Sequence, residues 1–486
     1  MIALPTDYLH LETFAIFLFL SMMFRMQLAR ADRPDYDVLG ALVPLRWAPY
    51  LFLFLAIAFV KALLNVSPIL GIELAAGITL SLLHPVNALC FMAHLMLLRP
   101  WEILIGDPLL SVFPRLLVGL CIFSYLIHPK RKPTVNKRNV RPVQFLVLFS
   151  GWLLLTLIKI PGKAAALFKW FDLYLKALTA FGMSIFFIED DLSVREVELT
   201  LALSALSLMI NGCYQFLSGE AIGGRMRLVF GKPYNLMGDP NDLGAIIVMA
   251  VPFVLVPVFK RASGPFTRLF GLAYAGFAAA TVWLTRSRGT MLAAVGQFFV
   301  YRIVHTPKKR RLGLVVTALV LGVGYQALTH IVPRDAEEME ASGGSRITYW
   351  QTAVNMAVHS PFLGVGFGQY PENYMGYAVG TIYERGNRTA HSSWFLAMGE
   401  SGFVGFFFYV AFFLSVVKMA WRARERRPAQ LYAVAGYGVA MSFLSHTYAM
   451  DFYLLMGLVI ASGGIAEAKP APASIPGRTA EAARGS

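Results

Sequence analysis

Apolar residues in this chain come in long runs, and polar residues are confined to the intervals between them. Runs at about 11–24, 47–63, 68–83, 86–98, 109–127, 143–160, 169–188, 198–217, 243–259, 270–285, 290–304, 312–328, 396–419, 431–448 and 450–465 hold few or no charges. A helix rises about 1.5 Å per residue, so most runs match the roughly 30 Å of a bilayer's hydrocarbon. The period-two alternation of a membrane barrel is absent. The pattern predicts an all-α, polytopic transmembrane helical bundle of about 12 to 15 spans. The longest polar interval, 329–394, predicts a long, partly helical loop.

Composition agrees with the pattern. At 57% hydrophobic, 15% charged and a mean hydropathy of +0.59, the chain is too apolar for a surface wetted all round. The net charge of +15 changes the picture only through its placement. Arg25, Arg30 and Arg33, then Lys130 to Arg141, Lys260, Arg261 and Arg268, Lys308 to Arg311, and Arg422 to Arg427 all fall on one side if the spans alternate. By the positive-inside rule that side is the cytoplasm. The excess charge therefore reads as topology and as attraction to anionic membrane lipids, with no nucleic acid partner. The opposite face receives 218–242, the Thr285 to Gly289 turn and the loop 329–394.

Three regions follow: N-terminal transmembrane helices at 1–200, a transmembrane core with its loop at 201–465, and a disordered cytoplasmic tail at 466–486, rich in Ala, Pro and Gly. Residues 11–24 read as a retained first span, since no basic region precedes them and no small-residue cleavage site follows. Cys90, Cys121 and Cys213 lie in or beside apolar runs and read as small buried hydrophobes.

Candidate chemistry sits on the face opposite the basic loops. Arg286 and Arg288 lie where an apolar run meets that face; Arg346 opens a predicted helix, with Trp350 four residues on and so on the same side. A guanidinium near a bilayer surface matches phosphate bidentately, which suggests a phosphate-bearing lipid. The alternative is snorkelling to headgroups, which also covers Arg225 and Arg227. His391 is placed to act as a general base on a hydroxyl, or else is a hydrogen-bonded interface residue. His359 reads as a helix C-terminal histidine, and His446 with Asp451 as a structural polar pair. Gly364, Gly366 and Gly368 predict a tight turn whose amides approach a ligand. Asp239 and Asn241 cap the next helix, with sugar or phosphate contact as the alternative role of Asn241. On the basic, cytoplasmic side, Glu189, Asp190 and Asp191 read as a solvated helix start, with metal binding for a nucleotide-sugar transferase as the alternative. No Asp, Glu or His grouping on the face opposite the basic loops has metal spacing, so metal-free chemistry without a cofactor is expected.

Taken together, Thr285-Arg286-Ser287-Arg288-Gly289, Arg346 with Trp350, Pro361-Phe362-Leu363-Gly364-Val365-Gly366, and His391 followed by Gly399-Glu400-Ser401-Gly402 resemble the O-antigen ligase and polymerase family. These are membrane glycosyltransferases that use polyprenyl-diphosphate-linked glycans. The likeness extends from about 238 to 405, and Ser392, where the family commonly has Asn, resembles its exosortase-associated branch. The resemblance implies a metal-independent, inverting glycosyltransferase in a bacterial inner membrane, active on the periplasmic face. Its donor would be a glycan on undecaprenyl diphosphate, and its acceptor a lipid A core, a polysaccharide or a protein. Arg288 and Arg346 would hold the diphosphate, and His391 would activate or orient the acceptor hydroxyl. Arg286, Arg225, Arg227, Asn241, Trp350, Gly364 and Gly366 would bind substrate. A repeat-unit polymerase is the alternative within the family, and a transporter or flippase of lipid-linked sugar the alternative outside it.

Overall fold

The computed structural model describes residues 19–27, 29–30, 68–99, 113–128, 134–135, 139–217, 228, 239–259, 264–307, 313, 336–379, 386 and 388–468. Among these the chain is helical throughout, with no strand. After a helical stretch at 19–27, the helices are α1 (Pro68–Leu83), α2 (Pro85–Leu98), α3 (Phe113–Ile127), α4 (Val140–Thr156), α5 (Lys163–Trp170), α6 (Lys176–Phe187), α7 (Asp191–Leu217) and α8 (Pro240–Val258). They continue as α9 (Pro265–Leu284), α10 (Arg288–His305), α11 (Ala336–His359), α12 (Tyr370–Tyr377), α13 (Ser393–Arg422), α14 (Pro428–Ala440) and α15 (Met450–Ala468). Among the described residues, four helical stretches are long and apolar enough to cross a membrane: Val140–Lys159, Asp191–Leu217, Pro240–Val258 and Ser393–Arg422. The runs predicted at 47–63 and, apart from residue 313, at 312–328 lie outside the described residues, as does the tail beyond Ala468.

Local chemistry fixes the helix starts. Proline stands at the first position of α8, α9 and α14, where its missing N–H costs nothing. Packing then assembles the bundle: α15 lies along α6, α13 along α4 and α11, and α14 along both α8 and α10. Small residues let the helices approach closely, as where Gly457 of α15 meets Ser184 of α6 and Gly436 of α14 meets Val248 of α8.

Ion pairs sort the two ends of the bundle. Asp191, at the start of α7, pairs with Arg427, which ties together two segments predicted to share the basic side. Near that end Arg30, at 2% exposure, is buried against Glu196 and donates to Asn87 Oδ1 at 3.0 Å. This arginine, expected as a loop cation, is thus an interior ion pair. The opposite end gathers the start of α8, the 285–287 turn, the 360–368 turn and the approach to α13, joined by contacts such as Lys159 Nζ to Ser360 Oγ at 2.6 Å.

Two predicted runs are interrupted. That at 169–188 contains a π-helical turn, Phe171–Leu175. The one at 431–448 stops as α14 at Ala440; a 3-10 turn, Met441–Phe443, and an open segment at 444–449 follow. The break has a cause: Ser442, Ser445, His446 and Thr447 bond to other elements through their side chains, and Leu444 through its carbonyl.

Candidate functional site

The site begins with the turn between α9 and α10. Arg286 takes a left-handed backbone (φ 50°), which ends α9 and swings the chain into α10. Ser287 caps α10, its Oγ accepting from Thr290 N at 3.1 Å. The same hydroxyl donates to Asn241 Oδ1 at 2.5 Å, while Asn241 donates from both its backbone and its side chain to Asp239 Oδ1 at 2.7 Å. Asn241 is therefore more than a cap: it locks the start of α8 to the arginine turn. Arg288, the first residue of α10, has its Nε and Nη2 buried, with no hydrogen-bond partner among the described residues. Leaving a buried donor unpaired costs about 1–3 kcal/mol, and more when it is charged.

The second part comes from α11, which contains the predicted helix after Arg346 and extends beyond it on the N-terminal side. Arg346 places its guanidinium 5.7 Å from the ring centre of Phe443. One turn on, Tyr349 meets the ring of His391 at 5.5 Å, and Trp350 stacks on Phe395 at 5.2 Å. Trp350 also lines an open apolar groove of about 470 Å³ with Ile347, Val354, Val358 and Val379. His391 adopts a left-handed backbone (φ 45°) immediately before α13, whose first turn starts at Ser393. Among the described residues only Arg99, Arg286 and His391 are non-glycine residues with positive φ, and two of the three border this site. Such strain, about 1–3 kcal/mol per residue, persists where the surroundings hold it in place.

The 441–449 segment joins these parts. The Phe443 side chain under Arg346 also faces Gly289, where an added Cβ would stand 3.0 Å from Phe443 Cβ and 3.1 Å from its ring. Ser445 Oγ accepts from Thr389 Oγ1 at 2.8 Å, Ser442 Oγ accepts from Trp394 Nε1 at 3.0 Å, and Leu444 O accepts from Ser393 Oγ at 2.7 Å. His446 is enclosed between Asp242 and Tyr437. It lies in the connecting segment outside the spanning helices; burial alone would lower its pKa, but the carboxylates of Asp451 and Asp242 outweigh burial and push it up to about 9. Sequence reasoning found His446 and Asp451 as a pair but missed Phe443, Tyr437 and Asp242. The cluster of three hydroxyl residues and a histidine within 442–447 was the available signal.

The glycine turn does something other than expected. The Gly364 amide donates to Ser360 O at 2.9 Å and the Gly366 amide to Glu400 O at 3.0 Å, so both amides are engaged within the chain. Gly364 (φ 62°) presses on the backbone of α13, where a Cβ would lie 2.5 Å from Gly399 O, and α13 itself kinks at Gly402 (φ 66°). Glu400 completes the joint by accepting from Tyr370 N at 3.1 Å and from Tyr448 OH at 2.7 Å. His359 ends α11 as expected, its Nδ1 2.9 Å from Asn355 O.

The structure thus joins the turn carrying Arg286 and Arg288 to Asn241 of α8 through Ser287, and brings Arg346, Trp350 and His391 together around α11, with Phe443 in contact with Arg346 and Gly289. Arg225 and Arg227 lie outside the described residues; their neighbour Leu228 donates its N–H to Leu284 O at 3.0 Å, beside the arginine turn. No group of three or more His, Cys, Asp or Glu side chains that could hold a metal ion is found among the described residues. Residues 273–410 match the family model described as O-antigen ligase. The match takes in the arginine turn, α11, the glycine turn and His391, while Asn241 and the 441–449 segment lie outside it. No curated protein matches the chain.

Proposed function

We propose, with residues 273–410 as an O-antigen ligase domain for premise, that this membrane protein transfers a preassembled glycan from undecaprenyl diphosphate to an acceptor hydroxyl. The acceptor is a lipid A core, a polysaccharide or a protein, and the site faces the periplasm of a bacterial inner membrane. The observation that carries the proposal is Arg288, whose Nε and Nη2 are buried without a partner among the described residues, in the turn whose Gly289 shares the Phe443 ring with Arg346. Cations so placed favour a polyanion, and a diphosphate accepts bidentately from each guanidinium.

In this reaction the acceptor oxygen attacks the anomeric carbon as the bond to the diphosphate oxygen breaks. His391 takes the hydroxyl proton, and Arg288 and Arg346 stabilise the charge that develops on the departing diphosphate. One in-line displacement inverts the anomeric centre. Two guanidiniums supply the electrostatic role often given to a metal ion, so transfer by purified protein is expected to be unchanged in EDTA; activity lost in EDTA and restored by a divalent cation would contradict this.

Ligase is preferred over repeat-unit polymerase. Deleting the gene distinguishes them: full-length glycan accumulating on the lipid carrier identifies a ligase, and single repeat units accumulating there identify a polymerase. An unchanged pool of carrier-linked glycan would contradict both.

A further inference from the structure

His446 has both ring nitrogens engaged. Nε2 lies 2.7 Å from Asp242 Oδ1, and Nδ1 lies 2.6 Å from the Tyr437 hydroxyl. Tyr437 has one proton, and that hydroxyl donates to Asp451 Oδ2 at 2.5 Å, so towards Nδ1 its oxygen is left to accept. A carboxylate on one side and an accepting phenol oxygen on the other call for N–H on both ring nitrogens. The residue is 2% exposed, so bulk solvent does not reach the ring.

The charged and titratable groups facing it come from every element packed around it. Asp242 comes from α8, Tyr437 from α14 and Asp451 from α15, while Arg99, just after α2, acts against the charge. The backbone of the same residue reaches the site: His446 N donates to Ser393 Oγ at 2.9 Å, and Thr447 Oγ1 donates to Ser393 O at 2.8 Å. Ser393 is two residues from His391, Asp242 is next to Asn241, and Phe443 is three residues before His446.

We propose that His446 is a positioning residue of the transfer site: as an imidazolium held between Asp242 and Tyr437, it ties α8 and α14 to the start of α13 and so sets where Phe443, Arg346 and the Arg288 turn stand. The inference rests on the transfer function proposed above, and its charge state can be measured without it. Because its pKa is raised to about 9, the stabilisation it confers is fully present below the ordinary histidine value and is lost as pH rises through about 9.

The test uses the full chain, wild type and Asp242→Asn, in two parallel measurements between pH 6 and 10. One is the thermal unfolding midpoint in detergent without any substrate; the other is glycan transfer in proteoliposomes. Wild type should lose both on the same alkaline limb. Asp242→Asn, which keeps the shape and removes one of the two carboxylates, should move that limb down by about 1 pH unit or more in both. Asp451→Asn, which removes the other carboxylate, 3.6 Å from Nδ1, should move it the same way and serves if Asp242→Asn does not fold. Limbs at the same pH in wild type and variants would overturn the charge assignment. A melting limb that moves while the transfer limb stays would overturn the positioning role. Absence of transfer in every protein, wild type included, would count against the proposed function, and the melting limb alone would then decide the inference.

Discussion

Arg346 stands over the Phe443 ring, and the other contact of that ring is Gly289, next to Arg288. The aromatic side chain therefore touches both the Arg346 guanidinium and the residue after Arg288 without being charged itself. Arg346→Lys keeps the charge and loses the planar fork, so transfer should fall substantially, and Arg346→Ala should cost on the order of 10²-fold or more in kcat, the scale of removing one electrostatic donor. Steady-state kinetics on membranes would check both; equal activity of the Lys variant and wild type would show that bidentate contact is not used. The arginines and His391 stand out as candidates in the sequence because charge is rare in an apolar chain. Phe443 and Tyr437 were not, because an aromatic residue at the edge of an apolar run looks like any other membrane residue until its contacts are known.

At the scale of elements, the joint between the 360–368 turn and α13 is the most constrained part of the core. Gly364 and Gly402 both have left-handed backbones, and each presents its Cα to another backbone: Gly364 to Gly399 and Glu400, Gly402 to Pro361 and Phe362. Gly364→Ala should therefore lower the thermal midpoint, by a destabilisation of about 1–3 kcal/mol or more, since a Cβ meets rigid backbone there. A melting curve in detergent measures it, and an unchanged midpoint would mean that the turn can move away. The helix after Arg346, the cap at Asp239 and the serine-arginine turn were readable from spacing alone. The end of α14 was not: the polar residues of 442–447 alternate with Phe443 and Leu444, so a hydropathy window passes over a break that hydrogen bonds to α13 create. The glycine turn was legible as a turn, whereas the use of its amides within the chain depends on a helix more than thirty residues further on.

For the whole molecule, the helical class was evident from run length, and some segments predicted to share a side do meet: Asp191 with Arg427 at one end, the arginine turn with Asn241 at the other. Each end assembles from segments far apart in the chain, which explains why sequence alone named candidate residues without joining them. The central claim is that this assembly makes a glycosidic bond using Arg288, Arg346 and His391. The most direct test reconstitutes the purified chain in liposomes with an undecaprenyl-diphosphate-linked oligosaccharide and an acceptor, and follows both products. Wild type should form glycosylated acceptor and free undecaprenyl diphosphate in equal amounts, with Arg346→Ala and His391→Ala each reduced by about 10²-fold or more. Full transfer by both variants, or glycan crossing the bilayer still attached to its carrier with no new bond formed, would contradict the claim.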